Sequence, residues 1–101
     1  MLTIVAFAQA KPGKEDELEK ALLELVSHTR KEAACINYDL HRHLKKPGMF
    51  VFYENWIDRA GLEQHRKSQH IADFGSKAGD LLAEPLKIEL CEMVSQPVSQ
   101  K

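Results

Sequence analysis

Cysteine is scarce in this chain. Cys35 and Cys91 are the only two among 101 residues, and neither belongs to a C-x-x-C pair. That is too little for a disulfide scaffold and supplies no motif for zinc or thioredoxin-type chemistry. The expectation is two small buried thiols on strands. Long apolar runs are also missing: none approaches the roughly 20 residues that span a bilayer. The opening MLTIVAFAQAKPGKEDE has no basic leader ahead of its apolar stretch, which argues against a signal peptide. Neither sign of charge is in surplus, since 14 Lys and Arg stand against 15 Asp and Glu. A nucleic-acid partner is therefore not expected, because its electrostatic footprint is absent. With hydrophobic residues at 44% and charged residues at 29%, the composition is that of a globular cytoplasmic protein. No repeat or linker interrupts it. Residues 1–94 read as one domain and 95–101 as a loose tail.

The patterning gives the elements. Leu2–Gln9 is apolar on both alternate sets, as in a central strand covered on both faces. After the Lys11-Pro12-Gly13 turn, Leu18, Ala21, Leu22, Leu25 and Val26 keep the i, i+3, i+4, i+7, i+8 spacing of an amphipathic helix. Cys35–His43 has a period of two, with Ile36, Tyr38 and Leu40 on one side and Asn37, Asp39, His41 and His43 on the other. Lys45–Gly48 makes a hairpin-type connection to Met49–Trp56, a strand bulky on both faces. Asp58 can cap a short helix over Arg59–Lys67, and Ser68 a second carrying Ile71, Phe74, Ala78 and Leu81. Pro85 ends it, and Leu86–Val94 alternates as a last strand.

The order βαββαβ, with its second helix broken, predicts an α+β, ferredoxin-like arrangement: a four-stranded antiparallel sheet with helices on one face. The first and third strands are then central, and they are the two that look apolar on both faces. A second copy is the simplest cover for the face without helices, so a homodimer is expected. Cys35 and Cys91 fall on opposite edges, three strand spacings or roughly 14 Å apart, too far for a disulfide.

The segment richest in chemistry is Tyr53-Glu54-Asn55-Trp56, followed by His65 and His70. Trp56 offers a stacking face and one N–H, Asn55 can hydrogen-bond a phenol or carbonyl, and a histidine can accept a phenolic proton near neutrality. Together they suggest a pocket for a flat aromatic molecule. The five-residue step from His65 to His70 is wrong for one helix face, and the break near Lys67–Ser68 should part them further. No metal site is therefore expected, short of a third ligand from His41 or Glu54. Lys46–Tyr53 faintly echoes the third-strand signature of the RNA-recognition module, yet Gly48 stands where a base-stacking aromatic belongs.

Four stretches carry a family resemblance: LTIVAFAQAKPGKEDEL, Lys31–Tyr38, FVFYENW, and His65 to His70 with the helix that follows. Over residues 2–94 the chain resembles the antibiotic biosynthesis monooxygenase family. The resemblance implies a ferredoxin-like unit that dimerises into an α/β-barrel. Some members oxidise polycyclic phenols or quinols with O2 and no flavin, metal or haem; others degrade haem or isomerise a phosphorylated signalling molecule. The haem degraders carry an Asn on the first strand, where this chain has Phe7 and Gln9. Ala34 replaces the Gly that many members place before the second-strand Cys, implying a slightly different turn.

The expected function is thus a cofactor-independent monooxygenase acting on a hydroxylated aromatic or quinol with O2. His65, His70, Asn55 and Trp56 are the expected catalytic residues, and Tyr53, Tyr38, Phe52 and Phe74 the substrate-binding ones. Two alternatives stay open. One is an isomerase or other proton-transfer enzyme on a small oxygenated metabolite; the other is a non-catalytic small-molecule binding member of the family.

Overall fold

The computed structural model describes residues 1–96, so the expected tail lies, from residue 97 on, outside the described residues. Strand β1 (Leu2–Gln9) leads into helix α1 (Glu15–Thr29), then β2 (Cys35–Arg42), β3 (Met49–Trp56), α2 (Arg59–Arg66), α3 (Gln69–Leu81) and β4 (Lys87–Cys91). The sheet is antiparallel in the order β2-β3-β1-β4, so the two strands apolar on both faces are the inner ones. This is the α+β ferredoxin-like fold. Local chemistry sets the element ends. Gly13 and Gly48 take the positive φ values of 85° and 74° that their turns require. The Asp58 carboxylate accepts from the Gly61 N–H at 2.8 Å to start α2, and the Ser68 hydroxyl accepts from Ile71 N–H at 3.4 Å to start α3.

The helices lie on one face of the sheet. Against it they seal Ile4, Ala6 and Ala8 of β1, Phe50, Phe52 and Trp56 of β3, and Leu18, Leu22 and Leu25 of α1. Full burial of each Ile, Leu or Phe among them contributes about 1.5–3 kcal/mol. On the other face Val5, Phe7, Met49 and Val51 are half-buried and Tyr53 is 40% exposed.

Four details depart from the sequence reading. The β2–β3 register shifts between Cys35 and Asn37, so a bulge turns Ile36 outward at 53% exposure while Tyr38 still points into the core. Strand β4 is five residues long rather than nine. At that edge Ile88 and Leu90 stay 47% and 42% exposed. Both cysteines are free as expected, but neither is fully buried: Cys35 is half-buried and Cys91 exposed on the edge strand. Ala34, finally, packs against α2. A methyl group added at Gly61 would lie 2.2 Å from the Ala34 Cβ, so this contact requires glycine.

Candidate active site

Alternation along β3 sends Phe52, Glu54 and Trp56 toward the helices. Glu54 is a carboxyl on an otherwise apolar face, 5% exposed, and its Oε1 accepts the indole N–H of Trp56 at 2.9 Å. His65, on the last turn of α2, is equally buried. Its ring centroid lies 4.6 Å from that of Trp56 and 5.5 Å from that of Tyr38. A cavity of about 240 Å³ opens between the sheet, α2 and α3. Every residue lining it is apolar except Tyr38, Glu54, His65 and Arg66.

That setting moves the protons. Burial pushes the Glu54 carboxyl up to about 7; the Glu32 charge adds to this and the Trp56 N–H opposes it. Burial pulls His65 below its ordinary value, against the hydrogen bond and charge of Glu32, which favour the cation. Burial, together with the Glu54 charge, drives the Tyr38 phenol far above its usual range. Near neutrality the cavity therefore holds a neutral imidazole beside a carboxyl poised to hold or release a proton. Cys35 is no nucleophile, because burial and the charges of Glu32 and Glu54 push its thiol up to about 11.

Glu32, in the turn between α1 and β2, fixes the histidines. Its Oε2 lies 2.7 Å from His65 Nδ1 and 2.8 Å from His70 Nε2. An ionised carboxylate only accepts, so neutral His65 carries its proton on Nδ1 and keeps a lone pair on Nε2. The helix break expected to separate the two histidines thus brings them together. The chain reverses through Ser68, whose hydroxyl donates to the His65 carbonyl at 2.6 Å, and α3 delivers His70 to the same oxygen. The ligand atoms of Glu32, His65 and His70 all lie within 4.8 Å of one another. The third group is neither His41 nor Glu54. His41 is exposed on the edge strand, with Nδ1 at 3.2 Å from the Val51 carbonyl.

The expected site residues do not share one pocket. His65, Tyr38, Phe52 and Phe74 line the cavity. Trp56 is wholly buried behind it, in contact with the lining residues Glu54 and His65. Asn55 and Tyr53 point to the opposite face, as strand alternation demands. Asn55 there accepts from the Thr3 hydroxyl at 2.5 Å and donates to Asn37 Oδ1 at 2.8 Å. His70 sits outside the cavity, in a groove between α1 and α3, its ring stacked 5.8 Å from His28. Glu54 entered the sequence reading only as a candidate third metal ligand, although it shares its strand parity with Phe52 and Trp56, the signal that could have placed it in the cavity. Glu32 is a loop residue with no such signal.

A ferredoxin-like sheet whose helices enclose an apolar cavity lined by an acid and a base has the form of a small-molecule site. More particularly, the chain belongs to the antibiotic biosynthesis monooxygenase family, which it matches over residues 1–77. YcnE of Bacillus subtilis (strain 168), named provisionally as a monooxygenase, is 31% identical over 93 residues, spanning 92% of this chain and 98% of YcnE. The structure of PA3566 from Pseudomonas aeruginosa superposes with a TM-score of 0.88 at 35% identity, covering 93% of this chain and 94% of that one. Rv0793 from Mycobacterium tuberculosis gives 0.89 at 25% identity, with 96% and 98% covered. Ala34 is the residue that meets Gly61.

Proposed function

We propose that this protein is a monooxygenase that oxidises a hydroxylated aromatic of one or two rings, such as a quinol, with O2 in the cavity between sheet and helices. The observation that carries the reading is the pairing of Glu54 and His65 in one apolar cavity, with environments that push an acid up and a base down. Family membership and the relatives named as monooxygenases support it. The volume suits the substrate class: a dry cavity near 150 Å³ accepts benzene, so about 240 Å³ leaves room for substituents or a second ring.

The chemistry follows from the groups present. His65 Nε2 takes the proton of the substrate hydroxyl, and Glu32 steadies the resulting imidazolium through Nδ1–H. The phenolate passes an electron to O2 far more readily than the phenol does, so the substrate itself is the reductant and the reaction needs no flavin, metal or haem. The reduced oxygen then bonds to a ring carbon. Glu54 and His65 return protons as the O–O bond breaks, one atom entering the ring and the other leaving as water. For a quinol the balance is quinol plus O2 giving hydroxyquinone plus water. Apolar walls keep bulk water from the intermediates. Phe52 and Phe74 flank the ring, Tyr38 donates a hydrogen bond from its protonated phenol, and Trp56 positions Glu54. A second copy of the chain covers the half-buried face of the sheet, making a homodimer.

Oxygen uptake with a panel of quinols, in buffer containing a chelator, tests this reading. Removal of a general acid or base costs about 10²–10⁴-fold, so His65→Ala and Glu54→Gln should lower uptake by at least ~100-fold. Uptake that is equal in the variants, or absent with every quinol, contradicts the reading. Turnover that proceeds without oxygen would instead favour a proton-transfer enzyme using the same two groups.

A further inference from the structure

We propose that Glu32, His65 and His70 form a binding site for one divalent transition-metal ion of the zinc class, whose occupancy turns His65 from a proton acceptor into a donor toward the cavity. Two imidazoles and one carboxylate are a common donor set for such ions, and metal sites need three convergent ligands. Here they converge from three separate elements, the α1–β2 turn, the end of α2 and the start of α3, and their ligand atoms lie within 4.8 Å of one another. The side chains are shielded but not sealed: 7% exposed for His65 and 18% for Glu32 and His70. The groove against His70 offers a way in; its walls carry Glu24 and Asp73, with Lys77 paired to Glu24 at 3.8 Å. Two neutral imidazoles and one carboxylate leave a divalent ion with a net charge of +1 and a position for water.

The effect on His65 follows from its tautomer. In the metal-free form Nδ1–H faces Glu32 and Nε2 keeps the lone pair. An ion at Nδ1 displaces that proton, and the neutral ring then carries its proton on Nε2. Such a ring donates into the cavity and cannot accept. On the reading of His65 as the base, a bound ion switches oxidation off; the binding itself does not depend on that reading.

Titration of the intact protein with Co²⁺, followed by its visible absorption, and with Zn²⁺, followed by calorimetry, tests the site. One ion per chain is expected. Glu32→Gln and His70→Ala should each weaken binding by at least the ~100-fold that loss of a second-shell partner alone can cost. His41→Ala and His43→Ala should leave it unchanged, and circular dichroism establishes that each variant is folded. Absence of stoichiometric binding by the wild-type protein overturns the proposal. So does binding that persists in folded Glu32→Gln and His70→Ala proteins. Zn²⁺ should also suppress quinol oxidation by the wild-type protein and chelator restore it; stoichiometric binding without any quinol oxidation would leave the site standing and remove the monooxygenase reading.

Discussion

Glu54 costs stability where it serves chemistry. Its carboxyl is raised from 4.5 to about 7, so between those values the folded protein holds a proton that the unfolded chain releases. Its contribution to stability is complete below pH 4.5 and is lost as pH rises toward 7, a change on the order of 3 kcal/mol. Glu54→Gln should therefore raise the urea midpoint above pH 7, have little effect near pH 4.5, and still abolish most turnover. A variant destabilised at pH 8 would refute this assignment. His65 has the opposite sign: its lowered value means that the unfolded chain takes the proton first, so its contribution is present above about 6.5 and is lost as pH falls. At this scale the sequence was only half legible. Alternation along Met49–Trp56 places Glu54 inside with Phe52, and the same rule puts Asn55 and Tyr53 on the far side from Trp56. Proximity in sequence had grouped residues that the pleat separates. Glu32 was not legible, because a loop carboxylate acquires meaning only when two histidines arrive beside it.

Among the elements, periodicity and caps were readable because they depend on neighbours in the chain. The stripe of α1, the Asp58 and Ser68 caps and the central place of β1 and β3 all follow from local pattern. The bulge at Ile36 and the shortness of β4 depend on what lies across the sheet. The break between α2 and α3 was visible, but its consequence was not: two helices separated by a break can converge their histidines where one continuous helix cannot. The close approach of α2 to the α1–β2 turn makes its own prediction. Gly61→Ala should destabilise by about 1–3 kcal/mol through overpacking against Ala34, and Ala34→Gly in the same chain should restore most of the loss. Urea unfolding of the single and double variants measures both, and independent, additive effects would contradict the contact.

At the scale of the whole molecule, the helices cover one side of the sheet and leave Val5, Phe7, Met49 and Val51 half-buried on the other. Sedimentation should show a homodimer. Val51→Lys, which places a charge in the middle of that face without touching the cavity, should yield monomers; a wild-type protein that stays monomeric at high concentration contradicts the covered face. Strand pattern made this surface legible, since no helix in the βαββαβ order can reach it. The cavity was not, because its volume depends on how α3 leans against β1 and β4. What the cavity does with oxygen is the centre of the account, and isotope labelling reads it directly. When a quinol that supports uptake is oxidised under ¹⁸O2, the product should carry one labelled oxygen and the water the other. A product free of label, or the same product formed without oxygen, would contradict it.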